Sequence, residues 1–281
     1  MKTFSIPAHL CPGGVVSTRV LRSVGYSYHD IRVLHLSGAL PENLREGWWA
    51  TSGADPEVVA AVRAGGVLTC VSALVRLGVY KPLGDDCLHV RASRGLVAGT
   101  AIKNCSAGRR PAPVVAVDHP LIAARAVIGC LDTENAVAVL DSMVDRHIVT
   151  GAELDDALGD TPRGRDLLRR RDLADSGQES LVRVRLRALG LKVRSQIHIT
   201  GVGKVDLVVG DRLVVEVDFK AHHTRLENYR KDRRRDRALV AMGYRVMRIT
   251  WEEVMFGWAE VEAQILEIVR RGDHRWPRRR T

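Results

Sequence analysis

The sequence contains no run of 18 apolar residues, so nothing in it reads as a membrane-spanning helix. Its first residues, MKTFSIPAHLCPGG, lack the apolar core of a secretory signal, and a soluble, cytoplasmic protein is expected. Cysteine is sparse. Cys11, Cys70, Cys87, Cys105 and Cys130 are odd in number, include no CxxC pair and all lie in the first half. That spacing argues against a disulfide framework or a structural zinc site and favours buried free thiols in a reducing cytosol. There is no internal repeat and no low-complexity tract. With 46% hydrophobic and 27% charged residues, the mix is that of a globular protein and not of a collagen-like, coiled-coil or wholly disordered chain.

What is abundant is positive charge, and it is unevenly placed. The 281 residues carry 43 Lys+Arg against 33 Asp+Glu, a net charge of +10. Residues 1–160 hold 15 basic and 16 acidic side chains, and residues 161–281 hold 28 and 17, so the two parts carry −1 and +11. The last 121 residues therefore suit a polyanion such as DNA, with no membrane partner expected.

Three textures follow one another. Residues 1–52 read as a helix from Ser17, a turn at Gly25, a second helix from about Ser27 to Gly38 and a strand-like ending at Trp48 and Trp49. That is the order of a winged helix-turn-helix, whose second helix can enter a DNA major groove. A helical hairpin that only packs on its neighbours fits as well, since the second helix offers just His29, Arg32 and His35 as polar contacts. Residues 53–165 read as a mostly helical middle domain with strands near Cys87–Ala92 and Val114–Val117, and Thr150 with Glu153 forms a capping box. Gly159, Pro162 and Gly164 mark a break between 160 and 175.

Residues 166–281 carry the chemistry. A helix capped at Ser176 precedes three strands, a long arginine-rich helix ended by Gly243, another strand and a helix from about Trp251, a short-sheeted α/β domain. VDLVV and LVVEVD are joined by Gly210-Asp211-Arg212. If the hairpin turns about Asp211, facing positions add to 422, so Asp206 lies opposite Glu216. Asp218, two residues on, shares the face of Glu216. Three like charges on an apolar hairpin suit Mg²⁺ or Mn²⁺, hard ions that activate water at a phosphodiester. An edge hairpin with an acidic solvent face is the plain alternative.

Glu179, Asp206, Glu216-Val217-Asp218, His223, Arg235-Asp236 and Gly243-Tyr244-Arg245-Val246-Met247-Arg248 with Trp251 together resemble an uncharacterised bacterial branch of the PD-(D/E)XK nucleases, similar to the very-short-patch-repair (Vsr-like) endonuclease. The resemblance covers about residues 176–270. It implies a restriction-endonuclease-like αβββαβ core, with Asp206 and Glu216 as metal ligands and Glu179 as the helix acid. Asp218 stands where the superfamily's lysine usually stands, and His223 matches that branch's histidine. Phe219 replaces the glycine of Glu-x-Asp-Gly, which predicts strain beside the metal if that glycine has positive φ. With no lysine, Lys220 or the His222–His223 pair must assist the attacking water, and histidine has the suitable pKa.

On the long helix, Arg230, Arg233, Arg234 and Arg237 are expected to hold phosphates together with Lys220 and His222, while Asp232 and Asp236 offset part of the charge. The tail from His274 to Arg280 reads as an unstructured, solubilising end that could add phosphate contacts and one stacking ring. Residues 14–50 resemble the winged-helix segment of AbiEi-type antitoxins, and VLTCVSALVRLGVY the start of their middle domain. The expectation is a metal-dependent DNA endonuclease with Glu179, Asp206, Glu216, Asp218 and His223 as its catalytic set. It would act in phage defence, mobile-element biology or repair, as a homodimer or with a partner protein. The alternative, motivated by Phe219, is a non-catalytic DNA-binding regulator of antitoxin type with a degenerate nuclease domain. A pure interaction scaffold fits the +11 half poorly.

Overall fold

A computed structural model describes residues 4–92, 101–106, 108, 112–218 and 226–277, and over 226–232 the backbone alone. The chain divides into two compact units, Met1–Leu131 with Arg146–Leu168, and Asp132–Asp145 with Arg169–Thr281. Several small sheets and many helices make it mixed α/β. No described helix is long and apolar enough to cross a membrane.

Unit one opens with β1 (Val15–Ser17), α1 (Thr18–Ser23) and α2 (Tyr28–Leu36). Ser17 caps α1 by accepting from the Val20 amide, and Ser27 with Asp30 closes a capping box on α2. Between them Gly25 takes φ +92°, a conformation that side chains resist. β2 (Glu42–Arg45) and β3 (Trp48–Ala50) run antiparallel, and β1 joins the other edge of β3. Ile31 and Leu34 of α2 close over Val16, Val20, Leu21 and Leu40. Each such side chain contributes about 1.5–3 kcal/mol on leaving water. His35 is engaged within the unit, its Nδ1 2.8 Å from the Leu40 carbonyl and its ring 5.4 Å from that of Trp49. Of the three polar contacts read from the sequence, His29 and Arg32 remain exposed.

The unit continues with α3 (Pro56–Arg63), β4 (Val67–Leu68), α4 (Cys70–Val75), β5 (Leu88–Arg91), β6 (Ile102–Asn104) and α5 (Pro120–Cys130). β5 is the middle strand, antiparallel to β4 and parallel to β6. The strand expected at Val114–Val117 is reduced to one bridge between Val117 and Leu68. Its carbonyls are taken singly, that of Val114 by the Ser17 hydroxyl at 2.6 Å and that of Ala116 by the Leu68 amide at 2.9 Å, so no ladder forms.

α6 (Thr133–Asp145) belongs to unit two, and the chain then returns to unit one for α7 (Gly151–Leu158), opened by the Thr150–Glu153 capping box. The segment read as a break is helical over α8 (Pro162–Arg170). Pro162 sits where a helix needs no N–H. Gly164 marks a close approach and not a loop: a Cβ there would lie 2.0 Å from the Leu158 carbonyl oxygen.

Unit two continues with α9 (Gly177–Ala188), β7 (Val193–Ile199), β8 (Gly203–Val209), β9 (Leu213–Asp218), α10 (Leu226–Ala241), β10 (Arg245–Thr250), α11 (Trp251–Phe256) and α12 (Trp258–Arg270). From α9 to β10 the order is αβββαβ, compatible with a restriction-endonuclease-like domain. The sheet order is β10-β9-β8-β7, with β9 parallel to β10 and antiparallel to β8. β9 is thus interior, and Leu213–Val217 are all buried, which excludes an edge hairpin with a solvated acidic face. α6 packs on α9 through a buried ion pair: Arg183 Nη2 lies 2.5 Å from Asp141 Oδ2, which also accepts from Ser180 Oγ at 2.7 Å.

Of the tail expected to be unstructured, residues 274–277 are described, and they are docked. The carbonyl of His274 accepts from the Asp211 and Arg212 amides, each at 3.1 Å, and Trp276 packs edge-on against Tyr244 with ring centroids 5.1 Å apart. Gly210 and Gly243 make room for it; a Cβ on Gly210 would lie 2.4 Å from the His274 carbonyl oxygen.

Candidate active site

The β8–β9 hairpin pairs Leu207 with Val215, Val208 with Val214 and Val209 with Leu213, the register that a turn about Asp211 dictates. One step further along that register stand Asp206 and Glu216. The Val217 amide donates to Asp206 Oδ2 at 2.9 Å, fixing that carboxylate beside β9. Glu216 is only 6% exposed, in a strand whose other buried members are apolar. Burial, and next the charge of Asp206, push its carboxyl up to about 7. The Asp206 carboxyl is also raised, first by burial.

Glu179 comes to the same patch from the first turn of α9. Ser176 Oγ accepts from its backbone amide at 3.2 Å, and its Oε2 accepts from the Asp175 amide at 3.0 Å and from Gln196 Nε2. Burial, followed by the charge of Asp206, lifts Glu179 to about 7. Buried carboxyls raised by one another are a mark of functional sites.

Gln196 is a site residue that the sequence reading missed. Antiparallel pairs bracket it, Ser195 with Leu207 and Ile197 with Val205, but the pair that would join Gln196 to Asp206 is skipped. There the backbone of Gln196 takes φ +52°, which costs a residue with a Cβ. Its Nε2 reaches Glu179, and its Oε1 is buried without a hydrogen-bond partner. The interrupted ladder and the orphaned oxygen coincide with the carboxylates.

Countercharge comes from two arginines. Arg235 Nη2 lies 3.4 Å from Glu216 Oε1 and donates to the Lys204 carbonyl at 2.5 Å. Arg248, across the parallel ladder from Glu216, holds Asp218 at 2.9 and 3.2 Å through Nη1 and Asp236 at 2.7 Å through Nη2. Burial disfavours the Arg248 charge, yet Asp236 and Asp218 raise its pKa above the ordinary value. Arg235 and Asp236 are the half-buried residues on their turn of α10, whereas Arg233, Arg234 and Arg237 are exposed. Lys220, His222 and His223 lie outside the described residues, as does Phe219, and the side chain of Arg230 is likewise outside them.

The donors are hard oxygens, mutually repelling and buried beside an orphaned amide oxygen, a set whose chemistry fits a divalent cation. As they stand, with Arg248 on Asp218 and Arg235 near Glu216, the carboxylate oxygens are not gathered about one point.

Residues 178–269, about a third of the chain, match the family REase_MTES_1575. This segment is a restriction-endonuclease-like domain, and it contains Glu179, Asp206, Glu216 and Asp218. Such a domain points to nuclease activity, acting on DNA, and its fold usually uses divalent metals. No curated protein matches the chain. Among solved structures, the RV2827C protein from Mycobacterium tuberculosis is 16% identical, with 60% of this chain and 76% of that one covered and a TM-score of 0.28.

Proposed function

We propose that the protein is a metal-dependent DNA endonuclease that hydrolyses phosphodiester bonds. The observation that carries this reading is the set of carboxyls on an interior hairpin, half-buried Asp206 and buried Glu216 with buried Glu179 behind them, flanked by an arginine helix inside a restriction-endonuclease-like domain. Asp206, Glu216 and Asp218 would hold Mg²⁺ or Mn²⁺, which when bound supplies charge stabilisation at the phosphate and a more acidic water.

The chain's own groups do the rest. Arg233, Arg234 and Arg237 present exposed guanidiniums from α10 and would hold backbone phosphates, with Lys220, His222 and Arg230 beside them in sequence. Arg248 bonds both Asp218 and Asp236, so it would keep its hold on Asp236 were Asp218 to serve the cation. Gln196, locked at φ +52°, positions the Glu179 carboxyl. Glu179, held at about 7, can keep or give up a proton near neutral pH. His223 would carry the proton taken from the attacking water. The N-terminal 1–52 segment we assign as a winged-helix DNA-binding module: α1, a glycine turn, α2 and the β2–β3 hairpin follow in that order, with His29 and Arg32 exposed.

Supercoiled plasmid incubated with the purified protein and Mg²⁺ or Mn²⁺ tests the reading. Nicking is expected for the wild type and a loss of at least about 100-fold for Asp206→Ala plus Glu216→Ala; equal nicking by the two would sink it. The second reading is a DNA-binding regulator with a degenerate nuclease domain, favoured by Phe219 and by the Asp218–Arg248 pair. It calls for operator binding through residues 1–52 and no heat of Mg²⁺ or Mn²⁺ binding at the carboxylates.

A further inference from the structure

Unit one gathers four metal-ligating side chains from four separate elements. Cys70 opens α4, His89 lies in β5, Cys105 follows β6, and Cys130 ends α5. The Sγ atoms of Cys105 and Cys130 each lie 3.3 Å from His89 Nδ1 and 3.1 Å from each other. With Cys70 Sγ included, all four ligand atoms are within 4.8 Å of one another. Tetrahedral zinc with Zn–S near 2.3 Å and Zn–N near 2.0 Å sets its ligand atoms about 3.5–3.8 Å apart, so the sulfur–nitrogen contacts lie within a few tenths of an ångström of that geometry and the sulfur–sulfur contact would open by about 0.7 Å.

The surroundings match the ligands. His89 Nε2 lies 2.8 Å from Asp85 Oδ1, and a proton held there leaves the lone pair of Nδ1 facing the three sulfurs. The His89 backbone amide is anchored on Ser72 Oγ at 3.0 Å, and Lys103 donates to the Cys130 carbonyl at 3.0 Å, a cation close to the thiol group. Cys70 sits at φ +51°, a strained backbone for a cysteine, with its side chain fully buried among the others. A disulfide explains this poorly. The Cys105–Cys130 sulfurs are about 1 Å beyond bonding distance, and such a bond would leave Cys70 and His89 with nothing to do.

We propose that Cys70, His89, Cys105 and Cys130 form a structural zinc site that ties α4, β5, β6 and α5 together. Three thiolates and an imidazole are the soft donors that select Zn²⁺ over the hard ions suited to the carboxylates of unit two. Four protein ligands leave no open position, so the zinc holds structure and activates no water. The ligand spacing is wide, with 18, 15 and 24 residues between successive ligands, which is why the absence of a CxxC pair argued against zinc.

Metal content of the full-length protein, purified without chelator, decides it. One zinc per chain is expected, falling to a small fraction in Cys70→Ser plus Cys130→Ser and unchanged in Asp206→Ala plus Glu216→Ala, which separates this site from the nuclease reading. Cobalt exchanged into the wild type should show the intense visible bands of tetrahedral thiolate coordination. If the serine variant fails to fold, Asp85→Asn is the second arm, and it should bind zinc about 10–100-fold more weakly in competition with a chromophoric chelator. Zinc-free folded protein whose five thiols all titrate freely on unfolding, or a Cys105–Cys130 disulfide in unreduced protein, overturns the proposal.

Discussion

Glu179 and Glu216 sit near pH 7 in the fold, whereas unfolded glutamate titrates at about 4.3. Between those values the folded chain binds more protons than the unfolded one, so the stability these carboxyls contribute is fully present below about pH 4.3 and is lost as pH rises to 7. In metal-free protein, Glu179→Gln or Glu216→Gln should flatten that decline by about 1–3 kcal/mol each, read from urea midpoints at pH 5 and pH 8. An undiminished slope in both variants would mean that other groups titrate. The register that sets Asp206 and Glu216 at matching positions was legible because a two-strand hairpin fixes it locally, about Asp211. Gln196 was not, because its place depends on a different pairing, β7 with β8, and on an interruption that only the folded ladder reveals.

At the scale of elements, α10 divides its charges by face. Arg235 and Asp236 turn toward the sheet, and Arg233, Arg234 and Arg237 stay exposed. The sequence showed a run of arginines but not which were inward, since that depends on how the helix is rotated on the sheet. Single alanine substitutions at Arg233, Arg234 or Arg237 should each lower the slope of log K against log salt for duplex DNA by about 1, with melting unchanged within about 0.5 kcal/mol. A salt slope equal to wild type in all three would remove α10 from the DNA interface. Local signals read well elsewhere: the start of α2 after Ser27, the Gly25 turn and the Thr150–Glu153 box are each set within a few residues. The docked tail was illegible for the opposite reason, because Trp276 finds Tyr244 and Asp211 only after the intervening strands have formed.

At the scale of the whole molecule, the +11 of residues 161–281 lies almost wholly within unit two, while the Asp132–Asp145 segment, with four acidic residues and no basic one, also belongs to it. Nothing in that acidity says which unit the helix joins. Its signature is Asp141, a carboxylate 3% exposed that answers the fully buried Arg183 of α9. A fragment of residues 166–281 would leave Arg183 without that partner, and breaking a buried ion pair in this way costs about 3–5 kcal/mol. Such a fragment is expected to melt without a cooperative transition, and residues 132–281 to melt cooperatively, as followed by calorimetry. Cooperative melting of the shorter fragment would show that α6 is dispensable.

The interleaving also orders events during synthesis. α6 leaves the ribosome before any other part of unit two, and α7 with most of α8, which complete unit one, emerge next. Unit one is therefore completed only after a helix committed elsewhere has been made, and the apolar face of α6 waits uncovered until α9 follows. Pausing or slow codons between residues 146 and 176 would lengthen that wait, which makes this stretch the chain's period of greatest dependence on chaperones.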